Sequence, residues 1–330
     1  MKAVVITRFG GPEVLEIRDV PAPQPGPDEV LIHVRGSALN RADLLQRLGR
    51  YAAPPGITQD IPGLELAGEV VELGAKADRW QKGDRVMGIV AGGAHAEFVN
   101  AHQDALAAVP PNVEWPAAGA IPEVFMTAYD ALQQAGFTAG KNVLIHAVGS
   151  GVGLAATQLV RALGGRAFGT SRTPDKIERA KQFGLESGFA VAEPSSLSGL
   201  AEFGKNVTGG RGFDVVLDLN GGPYFAASLE AMAMRGRIIL IGGVAGGKTE
   251  VDLHKILGKR LHVIGTVLRA RSLQEKIALT TAFAREVVPL LATGTIEPVI
   301  DSVFSLDKIQ DAHRRLESNE TFGKVVLAMP

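Results

Sequence analysis

Residues 142–156, Asn142-Val143-Leu144-Ile145-His146-Ala147-Val148-Gly149-Ser150-Gly151-Val152-Gly153-Leu154-Ala155-Ala156, constrain this chain more than any other stretch. The apolar run Val143 to Ile145 has the length and composition of a buried parallel strand. Glycines at 149, 151 and 153 follow, and Leu154, Ala155, Leu159 and Ala162 then form an apolar stripe at helical spacing. Strand, glycine turn and helix together open a βαβ unit of the dinucleotide-binding kind, in which backbone N–H groups and the positive helix end hold a diphosphate. Glycines are needed because a Cβ keeps the backbone away from the phosphate oxygens. Gly149, Ser150, Gly151, Val152 and Gly153 are therefore the candidate phosphate contacts. The spacing departs from G-x-G-x-x-G: with Gly153 as the last glycine, Val148 and Ser150 hold the first two places. A tight strand–helix turn without a ligand is the competing reading.

At 330 residues, 46% of them hydrophobic, the chain is long enough to bury two cores. Its 34 basic and 35 acidic residues nearly cancel, which gives no reason to expect a nucleic-acid partner. No apolar run reaches the ~18 residues that span a bilayer, and Met1 to Arg8 turns polar too early for a signal peptide. Without cysteine there is no disulfide, no thiolate metal ligand and no Cys nucleophile. A cytoplasmic location is the default expectation. His33, His95 and His102 lack metal-cluster spacing and read as ordinary structural or surface residues, and His146 as structural.

Residues 1 to about 120 read as short strands punctuated by turns: Ala3–Thr7, Val14–Ile17, Glu29–Arg35, Leu66–Leu73, Arg85–Val90 and Ala96–Val99, as in a small barrel or sandwich. Asn40 to Leu48 reads as a short helix with Asn40 as N-cap. Four runs in this region, Phe9-Gly10-Gly11-Pro12-Glu13-Val14-Leu15, Ala38-Leu39-Asn40-Arg41-Ala42-Asp43, Gly63-Leu64-Glu65-Leu66-Ala67-Gly68 and Gly83-Asp84-Arg85-Val86-Met87-Gly88, resemble the medium-chain dehydrogenase/reductase superfamily, and specifically its zinc-free quinone oxidoreductase branch. The resemblance covers essentially the whole chain. It implies an α/β protein in which a GroES-like β-barrel catalytic domain (1–123, completed by 270–330) accompanies a Rossmann doubly wound parallel-sheet domain (124–269). The zinc alcohol dehydrogenases carry a Cys where this chain has Asn40, and Gly-His-Glu where it has Gly63-Leu64-Glu65. A catalytic zinc wants three protein ligands including Cys or His, so no metal is expected and the reaction should be one that hydride delivery alone drives.

The resemblance further implies that Asn40 and Tyr51 lie at the active site. Asn40 would bond a substrate carbonyl, and Tyr51 would either donate a proton, pack on the nicotinamide or anchor its loop. Thr127, on a helix expected over Val124 to Gln134, matches a position near the nicotinamide; a hydroxyl turned onto its own helix is the alternative. Val267, Leu268 and Arg269 match a stretch near the cofactor and substrate, and Lys324, in Gly323-Lys324-Val325-Val326, matches a lysine that reaches the cofactor in some relatives or else is a surface lysine at a strand edge.

The second strand of the βαβ unit, Arg166 to Thr170, runs into Ser171-Arg172-Thr173-Pro174-Asp175-Lys176. An NAD site wants a carboxylate there for the ribose 2′-OH. Ser171, Arg172 and Lys176 suit a 2′-phosphate instead, so NADPH is the expected cofactor. Asp175 reads as part of the next helix start. Two later strands end at Asn220 and at Ile241-Gly242-Gly243, which places those residues where ligands of such sheets sit. Asp218 reads as structural. Leu261 to Leu268 is expected to be an edge strand that pairs with its copy in a homodimer. Ser272 to Leu291 reads as one amphipathic helix, Ile296 to Ile300 as a strand, Leu306 to Leu316 as a helix and Thr321 to Leu327 as the closing strand.

The expected activity is zinc-independent hydride transfer from NADPH to a quinone in the interdomain cleft. The alternatives are reduction of 2-alkenals, enones or acryloyl thioesters on the same scaffold, or a non-catalytic protein that keeps NADPH as a stabilising ligand.

Overall fold

Alternation of buried and exposed positions builds the first part of the chain, and near-continuous burial builds the middle. The computed structural model describes residues 1–329 and divides them into two units, Met1–Met126 with Leu268 onward, and Thr127–Val267.

The β-rich unit begins with β1 (Lys2–Ile6), β2 (Leu15–Asp19), β3 (Glu29–Ala38), α1 (Arg41–Arg47), β4 (Glu65–Leu73), β5 (Arg85–Ile89), β6 (Phe98–His102), β7 (Leu106–Ala108), α2 (Trp115–Ala118) and the start of α3 (Pro122–Gln134). β1 and β2 form an antiparallel pair. β3 organises the rest. Its first half pairs with β6 (Glu29 opposite His102) and its full length with β4. Val30, Ile32, Val34, Leu66, Val70, Val86 and Leu106 point into one core, in the period-two pattern of a half-buried antiparallel sheet.

The parallel-sheet unit follows with the rest of α3, β8 (Asn142–Ile145), α4 (Gly151–Ala162), β9 (Arg166–Ser171), α5 (Pro174–Lys181), β10 (Leu185–Ala190), α6 (Leu200–Thr208), β11 (Phe213–Asp218), α7 (Pro223–Ala231), β12 (Met232–Leu240), α8 (Leu253–Lys259) and β13 (His262–Gly265). Its six strands are all parallel, in the order β10-β9-β8-β11-β12-β13. This is the doubly wound order, which reverses direction between β8 and β11 and leaves a crevice for ligand at the strand carboxyl ends. Leu144, Phe168, Phe213, Val216 and Ile238 form its core, with the Phe168 and Phe213 rings 5.6 Å apart.

The chain then returns to the first unit through α9 (Leu273–Glu286), α10 (Val288–Ala292), β14 (Ile300–Ser305), α11 (Ile309–Glu317) and β15 (Lys324–Ala328). β15 adds antiparallel to the second half of β3, with Val326 opposite Ala38, and parallel to β14. The last sixty residues thus complete the first sheet.

Three expected elements differ from those observed. The strand expected over Leu261 to Leu268 is only His262–Gly265, because its neighbour β12 ends at Leu240, opposite Gly265, and offers Val267 and Leu268 no ladder. The single helix expected from Ser272 to Leu291 is two, broken at Val287 ahead of Pro289, whose ring removes a helical donor. The strand expected at Ile296 to Ile300 starts where that range ends; Pro298 cannot donate to a ladder, and pairing begins with Ile300 opposite Lys324. Among the described residues no helix is long and apolar enough to cross a membrane.

Candidate active site

Strand register brings the polar residues of the first unit together. Because Val326 faces Ala38, and Leu39 N–H bonds the Val325 carbonyl at 2.9 Å, Lys324 falls beside Asn40 just past the end of β3. Ser37 faces Leu66 on the other side, so Glu65 opens β4 at the same level. The side chains close a network. Lys324 Nζ donates to Asn40 Oδ1 at 2.7 Å, to the Leu39 carbonyl at 2.8 Å and lies 2.8 Å from Glu65 Oε1. Asn40 Nδ2 donates to the same Glu65 oxygen at 2.9 Å and, at a long 3.4 Å, to the Ala38 carbonyl. Glu65 Oε2 accepts the Glu123 backbone N–H at 2.8 Å. Lys324 and Glu65 are both buried, so the pair is sequestered from water. The surface-lysine alternative for Lys324 does not describe this residue.

α1 starts at this network. Asn40 stands at its N-cap with extended backbone, and the buried Asp43 carboxylate accepts the N–H groups of Asn40 (2.7 Å) and Gly63 (3.0 Å). The chain beyond α1 is anchored by Arg269. Its guanidinium is buried, stacks 5.0 Å over the Tyr51 ring, and donates to the Ala91 carbonyl (2.7 Å), the Tyr51 carbonyl (3.3 Å) and Gln46 Oε1 (2.7 Å). Tyr51 is half-buried, and burial raises its phenol pKa; the Arg269 charge opposes that rise and Glu123 adds to it. Glu123, in the first turn of α3, is pushed up to about 8 by burial first and then by the Glu65 charge, against the pull of Lys324.

His95 is fully buried beside Gly63, and among the described residues neither ring nitrogen has a hydrogen-bond partner. Burial lowers its pKa. His33, by contrast, is half-buried and stacks on Phe98.

The parallel-sheet unit carries the second set of candidates. Beyond β8 the chain turns through Ala147 at φ 51° and enters α4 with Ser150 as N-cap, its hydroxyl accepting the Gly153 N–H at 3.1 Å. The N–H groups of Gly151 and Val152, in the first helical turn, have no carbonyl of their own helix to bond and are available to an anion. A Cβ on Gly153 would lie 2.5 Å from the Ala147 carbonyl oxygen, so this glycine lets the helix pack onto its own turn. His146 is fully buried, bonded to the Thr170 and Ser228 hydroxyls at 2.9 and 2.8 Å, and serves the sheet.

β9 ends at Ser171, with Arg172 exposed and Lys176 half-buried in the first turn of α5. No carboxylate stands at the strand end; Asp175 is exposed within the helix start, near Arg179. On the adjacent strands β11 and β12, Asn220 and Ile241 to Gly243 sit together at the carboxyl ends, tied by Asp218, which accepts from Asn220 N–H at its side chain and from Ile241 N–H at its carbonyl. Thr127 is buried in the second turn of α3. Val267 is exposed, while Leu268 and Arg269 are buried in the β-rich unit. The cradle, the basic strand end and the glycine-lined edge fit an NADPH: backbone donors for its diphosphate, cations for its 2′-phosphate, and open backbone for the remainder.

A zinc does not fit the Asn40–Glu65–Lys324 cluster. The Lys324 ammonium already occupies the Glu65 oxygen a metal would need, and amide plus one carboxylate is not a zinc donor set.

Missed from the sequence were the Lys324–Glu65 pairing, the carboxylate of Asp43, and Glu123; His95, read as structural or surface, is buried. Glu65 was visible only as a departure from Gly-His-Glu. The rest depend on register between segments far apart in the chain, which no local pattern reports.

Two family models match the chain: the alcohol dehydrogenase GroES-like domain over residues 26–111 and the zinc-binding dehydrogenase domain over residues 194–327. The quinone oxidoreductase of Lama guanicoe is 31% identical, covering 100% of this chain and 98% of that protein. A mycobacterial structure complexed with NADPH is 30% identical with a TM-score of 0.88, covering 99% of this chain and 100% of that one. The JamJ enoyl reductase has the same TM-score, 0.88, at 26% identity over 100% of this chain and 99% of its own. The GroES-like β-sheet unit, the doubly wound sheet and the full-length likeness agree: the chain belongs to the zinc-free quinone oxidoreductase branch of the medium-chain dehydrogenase/reductase superfamily.

Proposed function

We propose that the protein is a zinc-independent NADPH:quinone oxidoreductase. The observation that supports this reading is the cluster in the β-rich unit, where an ammonium, an amide and a single carboxylate stand in place of a zinc donor set. An acceptor must therefore be reducible without a Lewis acid, and a quinone is, because its ring stabilises the reduced oxygen. NADPH supplies the hydride when bound. Gly149 to Gly153 bind its diphosphate, and Ser171, Arg172 and Lys176 its 2′-phosphate. Thr127, Asn220, Ile241 to Gly243, Val267 and Leu268 face the rest, Arg269 holds the Tyr51 loop, and Lys324 orders Asn40. Asn40 and Tyr51 meet the acceptor.

Reduction of enals, enones or acryloyl thioesters is the second reading, favoured by the likeness to an enoyl reductase. The protein acts in the cytoplasm, as its lack of cysteine suits. It works as a homodimer: β13 is an edge strand with His262 and Val263 exposed, and an unpaired edge invites a second copy.

The test follows NADPH oxidation by chelator-treated protein on addition of an ortho-quinone, with NADH and an enal as paired controls. Rapid NADPH use with the quinone supports the reading. Preference for the enal moves the assignment to alkene reduction, and inertness toward both overturns it.

A further inference from the structure

We propose that Glu123 is the acid that supplies the proton accompanying hydride transfer. This rests on the reductase reading above. Reduction of a quinone or an enone needs both a hydride and a proton, and the cluster holds several groups that look able to give one. Most are committed. Lys324 donates to the Leu39 carbonyl and to Asn40 Oδ1 and is ion-paired with Glu65. Glu65 accepts at both oxygens, from Asn40 on one and from the Glu123 N–H on the other, and the first also faces the Lys324 ammonium. Asp43 likewise accepts at both, from Asn40 and Gly63. Each of these two carboxylates thus has both oxygens engaged as acceptors. Tyr51 is made a weaker acid by its burial.

Glu123 differs in each respect. Among the described residues no donor bonds its carboxyl oxygens; its only hydrogen bond in the cluster is made by its backbone N–H to Glu65. It is half-buried, so it keeps contact with solvent from which a spent proton is replaced. Its charged and titratable neighbours are Glu65 of β4, Asp43 of α1, Lys324 of β15, Arg269 ahead of α9, Tyr51 beyond α1 and Lys276 of α9. Burial and the Glu65 charge outweigh the cations and raise its pKa to about 8. A carboxylic acid kept neutral near pH 7 in this way can donate.

The step balances. Bound NADPH would supply a hydride, its C4 hydrogen together with the bonding pair, which would form a new bond at the acceptor and leave the cofactor oxidised. Negative charge gathers on an acceptor oxygen. An O–H bond forms there as the O–H bond of Glu123 breaks, its pair remaining on the carboxylate, which then takes a proton from water.

The sign of the pH dependence follows. The donating form is present below about 8 and is lost above it, so turnover falls as pH rises through that value. Glu123→Gln, which preserves shape, is expected to lower kcat about 100-fold and abolish this alkaline fall, while NADPH affinity, read by fluorescence titration, stays within about twofold. Glu123→Asp is expected to recover part of the rate and keep the fall. A readout free of turnover is infrared difference spectroscopy of the ligand-free protein: a protonated-carboxyl band at neutral pH that disappears by about pH 9 and is absent from Glu123→Gln. If the wild type turns over and Glu123→Gln keeps both rate and profile, or if the band is missing at neutral pH, the inference is overturned alone. If the wild type oxidises NADPH with no acceptor of either class, the reductase reading falls and takes the inference with it.

Discussion

Lys324 Nζ lies 2.7 Å from Asn40 Oδ1, and that contact decides which way the Asn40 amide points. With the oxygen held by an ammonium, the amide nitrogen is directed to Glu65. The pair stands 284 residues apart in sequence and adjacent in space. Lys324 also balances Glu65, whose side chain is 0% exposed. Lys324→Met should therefore leave a buried carboxylate unpaired and cost about 3–5 kcal/mol, read as a lower urea midpoint. Adding Glu65→Gln to Lys324→Met should restore more than half of the loss. Equal stability of Lys324→Met and wild type would show that the ion pair is not formed in solution.

Cofactor choice rests on the end of β9. On the proposed function, Arg172 at the end of β9 and Lys176 in the first turn of α5 would hold the 2′-phosphate of NADPH, and β9 itself ends in Ser171 and not in a carboxylate. Arg172→Ala should remove a charge-assisted contact of about 1.5–3 kcal/mol, seen as a KM for NADPH raised roughly 10- to 100-fold with little change for NADH. Ser171→Asp should reverse the preference by placing a carboxylate where the ribose 2′-OH of NADH wants one. A KM for NADPH unmoved in Arg172→Ala would remove the phosphate-binding role of this residue.

The glycine turn and the strands around it were legible in the sequence because their signals are local. Apolar runs, glycine spacing and the change of period at Leu154 all lie within one βαβ unit. The absence of a carboxylate after β9 was legible for the same reason. The polar cluster was legible only in part. Asn40 was named, yet that its amide is held by Lys324 and Glu65 follows from β3 pairing with β15 and β4, and register is a tertiary property. Arg269 was expected against the cofactor, whereas its guanidinium grips Ala91, Tyr51 and Gln46. Composition cannot tell a cation that binds a ligand from one that binds a loop. The misplaced strand ends near Val267 and Ile296 have a simpler cause: apolar residues continue beyond the ladder that would pair them.

The Arg269 grip on the Tyr51 loop has its own consequence. Three directed bonds and a stacked ring need the planar guanidinium fork, which an ammonium cannot reproduce. Arg269→Lys should keep the charge but free the chain around Tyr51. Amide exchange across residues 49–60 should then quicken about 10- to 100-fold while the parallel-sheet unit stays protected. KM for the acceptor should rise more than kcat falls. Unchanged exchange in that segment would show that Arg269 does not anchor it.

His146 links stability to pH. Its imidazole is fully buried between Thr170 and Ser228, and burial lowers its pKa from 6.5 to about 4, with Asp218 opposing the shift. The folded protein thus holds this histidine neutral while the unfolded chain protonates it. Its stabilising effect is complete above the unfolded value of 6.5 and is lost as pH falls from there toward about 4. The window carries up to about 3 kcal/mol. His95 and His313, also lowered by burial, act in the same direction. His146→Gln, which keeps a donor and an acceptor, should lose less stability than wild type between about pH 6.5 and pH 4.5, although it starts lower at neutral pH through imperfect bonds to the two hydroxyls. Denaturant titrations at both pH values measure the difference, and parallel losses in the two proteins would mean that His146 does not titrate on unfolding.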